Sequence, residues 1–250
     1  MRRLEGKVAL VPGSGSGLGR AAALRFAAEG ALVVGGDTDH IRASETQRLI
    51  GRAGGIALHP EKLDVTDPDS VQAWAREAVD AFGAIDVLLA HAPGPAPRDR
   101  HIEAQPFDDY AATLRGRLDA VWLCAKAVWP HLTLGEGCIV MVASTAAVAG
   151  CPGRGLGAQA AAAGGIVALS RQLAAEGAAL GVRVNCVSPG GIDLDGADRA
   201  GPPAEAPPIG RAGRADDVLN AAVFLASGEA SFVTGAHLVV DGGWSAVRPG

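Results

Sequence analysis

The sequence predicts an α/β fold in which a single doubly wound parallel sheet carries helices on both of its faces. Two observations support this prediction. Short apolar runs alternate with longer helical patterns along the 250 residues, and this alternation is typical of a parallel sheet that is covered on both sides. The run VALVPGSGSGLGRAAALRF adds a strand, a glycine-rich turn and a helix in immediate succession, as in dinucleotide-binding domains.

Short apolar runs predict strands that are buried on both faces of the sheet. They are Val8–Val11, Ala31–Gly35, Ile56–Leu58, Ile85–Ala90, Cys138–Val142, Arg183–Val187 and Ala236–Val240. Helical patterns separate these runs, at Leu18–Glu29, His40–Arg52, Pro68–Phe82, Phe107–Leu132, Ala158–Leu180 and Arg214–Ala226. Asp67 and Pro68 mark the start of the third helix, because these residue types are favoured at the N-cap and at the first helical position. With no linker or repeat between these elements, residues 1–250 are expected to form one domain.

The composition excludes several classes of protein. Apolar residues make up 48% of the chain, enough for a core, and the net charge of −5 without a basic run disfavours nucleic-acid binding. No apolar run reaches the ~18 residues of a membrane span, and the N-terminus lacks the pattern of a signal peptide. We therefore expect a cytoplasmic protein with no membrane partner.

The cysteines and the other metal-ligating residues show no site pattern. Cys124, Cys138, Cys151 and Cys186 form no CxxC pair, which fits a reducing compartment. The first two and Cys186 lie in apolar runs and are expected in the core, whereas Cys151 lies in a Gly/Pro loop. No group of His, Asp and Glu has metal-ligand spacing, so no metal is expected.

The first turn predicts a nucleotide site. Gly13, Gly17 and Gly19 let the backbone approach a pyrophosphate, and the following helix offers free N–H groups. Asp37 ends the second strand, where a carboxylate accepts hydrogen bonds from an adenosine ribose and repels a 2′-phosphate. NAD is therefore the predicted cofactor, with helix capping as the alternative role of Asp37. Asp64 is either an adenine contact or an ordinary turn residue.

Four segments resemble the short-chain dehydrogenase/reductase family, over nearly the whole chain. PGSGSGLG is similar to the family's TGxxxGxG turn, with Pro12 in place of Thr, and VRVNCVSPGGI to its segment after the sixth strand. IGRAGRADDVLNAAVFLAS is similar to its last helix and FVTGAHLVVDGGW to its C-terminal strand. The resemblance implies a nicotinamide cofactor that contacts the turn and the ends of several strands. The implied contacts are Gly13, Ser16, Gly17, Leu18, Gly19, Asp37, Asp64, Val65, Ala90, Pro189, Gly190 and Ile192.

Most catalytic groups of that family are replaced in this chain. Family members use a Tyr as proton donor, a Lys four residues later, a Ser and an Asn, and of these only Ser144 matches. The run GGIVALSRQLA places Gln159 at the Tyr position and Ala163 at the Lys position, and VWLCAKAV places Arg117 at the Asn position. The only tyrosine of the chain, Tyr110, has no lysine four residues later.

Other residues of the predicted cleft also depart from the family pattern. LLAHAPG stands in place of NNAG and brings His91 and Pro93 to the cleft, and Leu194 replaces a Thr that grips the carboxamide. His91 is a candidate acid because a free imidazole titrates near neutral pH, and Arg117 is a candidate for binding an anionic group. The alternatives are a cleft wall for His91, a salt bridge or exposed helix face for Arg117, and a loop hydroxyl for Ser144.

Three functions remain open. A Gln cannot release a proton near neutral pH, so the favoured interpretation is a catalytically silent subunit of a homo- or hetero-oligomeric NAD-dependent dehydrogenase complex. The alternatives are a biosynthetic enzyme with reassigned lyase, cyclase or dehydratase chemistry, and an NAD-dependent oxidoreductase of an alcohol or carbonyl. The small-residue run AQAAAAGG at 158–165 is expected to contact a second copy or an active homologue. The segment Asp193–Gly210 is predicted to be a flexible surface loop.

Overall fold

The computed structural model describes residues 2–59, 62–92, 100–134, 136–194 and 207–247. Its strands are β1 (Val8–Pro12), β2 (Leu32–Gly36), β3 (Ile56–Leu58), β4 (Val87–Ala90), β5 (Cys138–Val142), β6 (Arg183–Pro189), β7 (Ile192–Asp193), β8 (Gly213–Arg214) and β9 (His237–Val240). A seven-stranded sheet has the order β3-β2-β1-β4-β5-β6-β9, and each neighbouring pair is parallel. The short strands β7 and β8 pair with each other. The predicted doubly wound α/β fold is confirmed.

Helices cover both faces of the sheet. They are α1 (Gly17–Ala28), α2 (His40–Arg52), α3 (Pro68–Phe82), α4 (Phe107–Leu114), α5 (Ala120–Val128), α6 (Gly157–Gly177) and α7 (Ala215–Ala226). Side chains alternate between the two faces of a strand, so Val8 and Leu10 of β1 pack with α3, α5 and α6, while Ala9 and Val11 pack with α1, α2 and α7. Two apolar layers therefore fix the position of the sheet.

The fourth predicted helix, Phe107–Leu132, is interrupted in the structure. A π-helical segment, Arg115–Asp119, separates α4 from α5, and α5 ends at Val128 before a short 3₁₀ turn. Pro130 explains the early end, because proline cannot donate to the helical ladder and clashes with the preceding turn. The strand predicted over Ile85–Ala90 is two residues shorter in the structure, where it begins at Val87.

The cysteines lie where their sequence neighbourhoods place them. Cys124, Cys138 and Cys186 are buried and Cys151 is half-buried. Burial raises the pKa of the Cys124 and Cys186 thiols to about 12 and that of Cys138 to about 11.

Two further expectations concern membrane-spanning helices and the predicted surface loop. No helix within the described ranges combines the length and apolar character needed to cross a bilayer. Most of the predicted loop Asp193–Gly210, namely 195–206, lies outside the described residues, as does Pro93.

Candidate functional site

The strand order of the sheet creates a crevice at the carboxyl ends of β1 and β4. Along the chain the strands grow outward from β1 through β2 to β3, and then resume on the other side of β1 with β4. Helices from opposite faces diverge at such a switch point, and α/β proteins bind ligands there, outside the carboxyl ends of the strands. Pro12 ends β1 and Ala90 ends β4, so both point to this crevice.

The glycine turn between β1 and α1 has the geometry of a phosphate cradle. Gly13 and Gly17 have φ of 71° and 50°, which only glycine adopts readily. A Cβ on Gly19 would lie 2.1 Å from the carbonyl oxygen of Gly13, so α1 packs directly on the turn. The side chain of Ser16, the N-cap of α1, makes no capping hydrogen bond to the first turn of the helix. The first N–H groups of α1 therefore have no side-chain cap, and they suit a pyrophosphate.

Asp37 reaches across to the glycine turn. Its Oδ2 accepts a hydrogen bond from the Gly15 N–H at 3.0 Å, and its Oδ1 accepts one from the Asp39 N–H at 2.9 Å. The N-cap of α2 is Asp39, whose carboxylate accepts from the Arg42 N–H at 3.1 Å. The alternative role of Asp37 as the helix cap is therefore wrong, and its half-buried carboxylate remains at the cleft.

Other residues also hold the turn in place, and the sequence analysis missed them. The Ser14 hydroxyl accepts from the Gly36 N–H at 3.0 Å, and the Thr46 hydroxyl donates to the Ser14 carbonyl at 2.8 Å. The Trp74 indole donates to the Gly35 carbonyl at 2.9 Å. The position of Ser14 inside the glycine turn is the one sequence signal that points to this role.

The remaining predicted nucleotide contacts surround the same crevice. Asp64 Oδ1 accepts from the backbone N–H and the hydroxyl of Thr66, which lowers the pKa of Asp64. Asp64 thus forms a turn, as one of its two predicted roles requires. Val65 and Ala90 are buried. On the other side of the crevice, Leu194 Cδ1 lies 3.7 Å from where a Cβ on Gly17 would stand.

The end of β6 and the segment that follows it lie close to this crevice. They carry three predicted contacts, Pro189, Gly190 and Ile192. A Cβ on Gly190 would lie 2.5 Å from Thr145 Cγ2, so this segment packs tightly against the residue that follows Ser144. The nucleotide crevice and the Ser144 loop are therefore neighbours.

The four positions assigned by resemblance to catalytic groups come together around one small cavity of about 20 Å³. Its lining includes Ala92, Arg117, Ser144, Gln159, Ala163 and Ile166. The Gln159 amide nitrogen donates to the Ser144 hydroxyl oxygen at 3.2 Å, and that oxygen also accepts from the Ala146 N–H at 3.2 Å. Gln159 and Ala163 are four residues apart on α6 and so share one face of the helix.

Arg117 owes its position to the π-helical segment. One extra residue per turn rotates the side chains that follow, and such segments recur at functional sites. Arg117 lines the cavity, and its Nε is buried and has no hydrogen-bond partner among the described residues. No ion pair joins it to any residue in the described ranges. Of its two alternative roles, neither a salt bridge nor an exposed helix face fits this environment.

His91 does not fit the role of an acid. Burial, and then the positive charge of Arg117, lower the pKa of His91 to about 4, although a hydrogen bond with the Pro12 backbone opposes the shift. Its Nδ1 is buried without a hydrogen-bond partner among the described residues. A pKa in that range keeps the ring uncharged at neutral pH, which argues against the predicted role of an imidazolium acid and favours the alternative role of a cleft wall.

Comparison with known proteins gives consistent matches along the chain. A family model described as Enoyl-(Acyl carrier protein) reductase matches residues 13–245. The 3-oxoacyl-acyl-carrier-protein reductase FabG of Thermotoga maritima is 34% identical over 249 residues, covering 96% of this chain and 98% of that protein. The cis-4-hydroxycyclohexanecarboxylate dehydrogenase of Sinomonas cyclohexanicum is 39% identical, covering 96% and 97%.

A solved structure matches the same extent of the fold. The crystal structure of a short-chain dehydrogenase from Burkholderia cenocepacia, in complex with NADP, superposes with a TM-score of 0.87 at 32% identity. The match covers 97% of this chain and 99% of that one. The glycine turn, the sheet and the crevice therefore belong to an architecture that holds a nicotinamide nucleotide in that relative.

Proposed function

Because the chain belongs to the short-chain dehydrogenase/reductase family, we propose that it binds NAD(H) and is catalytically silent toward ordinary carbonyl substrates. The observation that carries this proposal is the Gln159 amide, which is hydrogen-bonded to Ser144 at the edge of the cavity. Ala163, one helical turn further, is buried and uncharged. The pocket thus keeps the shape of a reaction site without a group that can deliver a proton.

The chemistry of the lining residues supports this proposal. A bound nicotinamide would supply hydride transfer, and the carbonyl oxygen would then need a proton. The Gln159 amide donates hydrogen bonds but does not ionise near neutral pH, and His91 is neutral there. A positioned acid contributes about 10²–10⁴-fold to such a rate. Ser144 and Arg117 can bind and orient an oxygen atom, but neither is an acid in this range.

A second candidate is an NAD-dependent oxidoreductase that acts on an alcohol or a carbonyl. The names of the relatives favour it, because the Thermotoga protein is a reductase and the Sinomonas protein is a dehydrogenase. This candidate requires a proton donor other than a Tyr–Lys pair, such as Ser144 through bound water. A reassigned lyase, cyclase or dehydratase would use the same residues. Measured turnover, described in the Discussion, separates these candidates from a silent chain.

NADH is expected to bind more tightly than NADPH. The Asp37 carboxylate stands at the end of β2, where it would accept from a ribose hydroxyl and repel a 2′-phosphate. Asp37→Asn removes the charge and should reduce the preference by about tenfold. Fluorescence titration with both cofactors measures this.

Asp39→Asn is the matched control for that titration, because Asn caps a helix as well as Asp does and α2 should remain intact. Tighter binding of NADPH than NADH by the unaltered chain would contradict the assignment of Asp37.

We also propose that the chain is an oligomer, formed with itself or with an active homologue. Ala161 is exposed on α6, and Phe107 and Trp122 are exposed on the neighbouring α4 and α5. Ala161→Glu should dissociate the assembly, because a buried, unpaired carboxylate costs several kcal/mol. Sedimentation analysis gives the mass of both proteins. Ala73→Glu, at an exposed position of α3, is the control that should leave the mass unchanged. A monomer in all cases would contradict this proposal.

A further inference from the structure

We propose that the cavity beside Gln159 binds the carboxylate of a small organic acid, with Arg117 as its counter-ion. The inference rests on the proposed function, because it assigns to the same pocket a binding role in place of proton transfer. Three features of the described residues lead to it: an unpaired buried guanidinium nitrogen, a convergence of hydrogen-bond donors, and the size of the cavity.

The first feature is the uncompensated charge of Arg117. Its Nε is buried without a hydrogen-bond partner, and no acidic side chain lines the cavity among the residues that the structure describes. The Arg117 side chain as a whole is half-buried, but a buried donor that is left without a partner still costs free energy. His91 offers no negative charge either, because burial and then the charge of Arg117 lower its pKa and leave its ring neutral. An anion from outside the chain would supply the missing partner.

The second feature is that Ser144 and Arg117 can both offer donors to the cavity. The Ser144 oxygen already accepts from the Gln159 amide and from the Ala146 N–H. Its hydroxyl hydrogen is used in no hydrogen bond among the described residues, so it can donate into the cavity. The guanidinium of Arg117 has donors and no acceptor. Donors that converge around one positive charge favour a group with acceptor oxygens.

The third feature is the size and lining of the space. A volume of about 20 Å³ holds roughly one water-sized group, which suits a single carboxylate oxygen better than a tetrahedral phosphate. Ala92, Ala163 and Ile166 contribute apolar side chains to the lining. One carboxylate oxygen would occupy the cavity beside the Arg117 guanidinium, and the other oxygen and the organic part of the acid would extend into the crevice.

The test compares an acid with its uncharged isostere. The NAD⁺-saturated protein is titrated with butyrate and with butyramide, and the dissociation constants are measured by NMR. Butyrate should bind at least about tenfold more tightly than butyramide, as expected for hydrogen bonds to a charged group. Arg117→Gln should abolish the difference. Arg115→Gln, an exposed arginine of the same π-helical segment, is the matched control and should preserve it.

The outcomes separate this inference from the proposed function. Equal affinity for butyrate and butyramide in the unaltered protein overturns it, as does loss of selectivity in the Arg115 variant alone. If Arg117→Gln does not fold, Arg117→Lys keeps the charge without the planar fork and should retain part of the selectivity. The titrations are repeated without NAD⁺, and nucleotide binding is measured separately. If the protein binds butyrate selectively but does not bind NAD⁺, only the proposed function is refuted. If it binds NAD⁺ but shows no selectivity for butyrate, only this inference is refuted.

Discussion

The purified chain, supplied with NADH and simple ketones, is expected to oxidise the cofactor no faster than a protein-free control. Three substitutions together are expected to create activity. Gln159→Tyr supplies a proton donor at the cavity, Ala163→Lys supplies a cation one helical turn away, and Arg117→Asn removes the charge that would oppose it. A positioned acid is worth about 10²–10⁴-fold in rate, so the gain should be large enough to follow by NADH absorbance.

The matched control for this experiment places at position 159 an aromatic ring that has no hydroxyl group. Gln159→Phe, combined with the same two other substitutions, fills the site with an aromatic ring that cannot ionise, and it should stay inactive. If instead the unaltered chain turns over at the rate of an ordinary dehydrogenase, the silent interpretation is wrong and the oxidoreductase is the better function. Ser144→Ala would then show whether the hydroxyl takes part.

Gly19→Ala is expected to lower both stability and nucleotide affinity. The added Cβ would lie 2.1 Å from the Gly13 carbonyl oxygen and 2.9 Å from that of Pro12. Both neighbours are backbone atoms, so α1 must move away from the turn rather than a side chain rotating. Overpacking of this kind lowers the free energy of unfolding by about 1–3 kcal/mol. Denaturant unfolding measures the stability, and NADH fluorescence measures the binding.

A glycine in open surroundings provides the comparison. Gly51 lies in α2, and a Cβ there would meet nothing within 4 Å. Gly51→Ala should stabilise the chain by up to about 1 kcal/mol without affecting NADH binding. Unchanged stability and affinity in the Gly19 variant would mean that the close approach of α1 to the turn is not required.

Elements bounded by strong local signals were predictable from the sequence. The bounds of Ile56–Leu58, Cys138–Val142 and Pro68–Phe82 agree with the structure, because polar or turn residues, or a cap followed by proline, delimit them. The π-helical segment at Arg115–Asp119 was not predictable. Arg and Leu are good helix formers, so nothing local in the sequence marks the extra residue in this turn, and tertiary packing decides it.

For the site, the sequence predicted which residues lie together but not the local environment of each one. The resemblance brought Ser144, Gln159 and Arg117 to one place, and the structure does bring them to one cavity. Pattern alone could not distinguish Asp37 from Asp39 as the helix cap, because both are carboxylates just before α2. Nor could it predict the lowered pKa of His91, because that shift comes from burial and from Arg117, a residue distant in sequence.

The raised pKa values of the buried thiols make the chain convenient for single-site labelling. Nucleophilic attack requires a thiolate, and Cys124, Cys138 and Cys186 are held in the thiol form by burial. Cys151, half-buried in the loop that joins Ser144 to α6, is the accessible thiol of the four. A maleimide dye applied to the folded protein would therefore attach in the loop between Ser144 and α6, without any engineered cysteine.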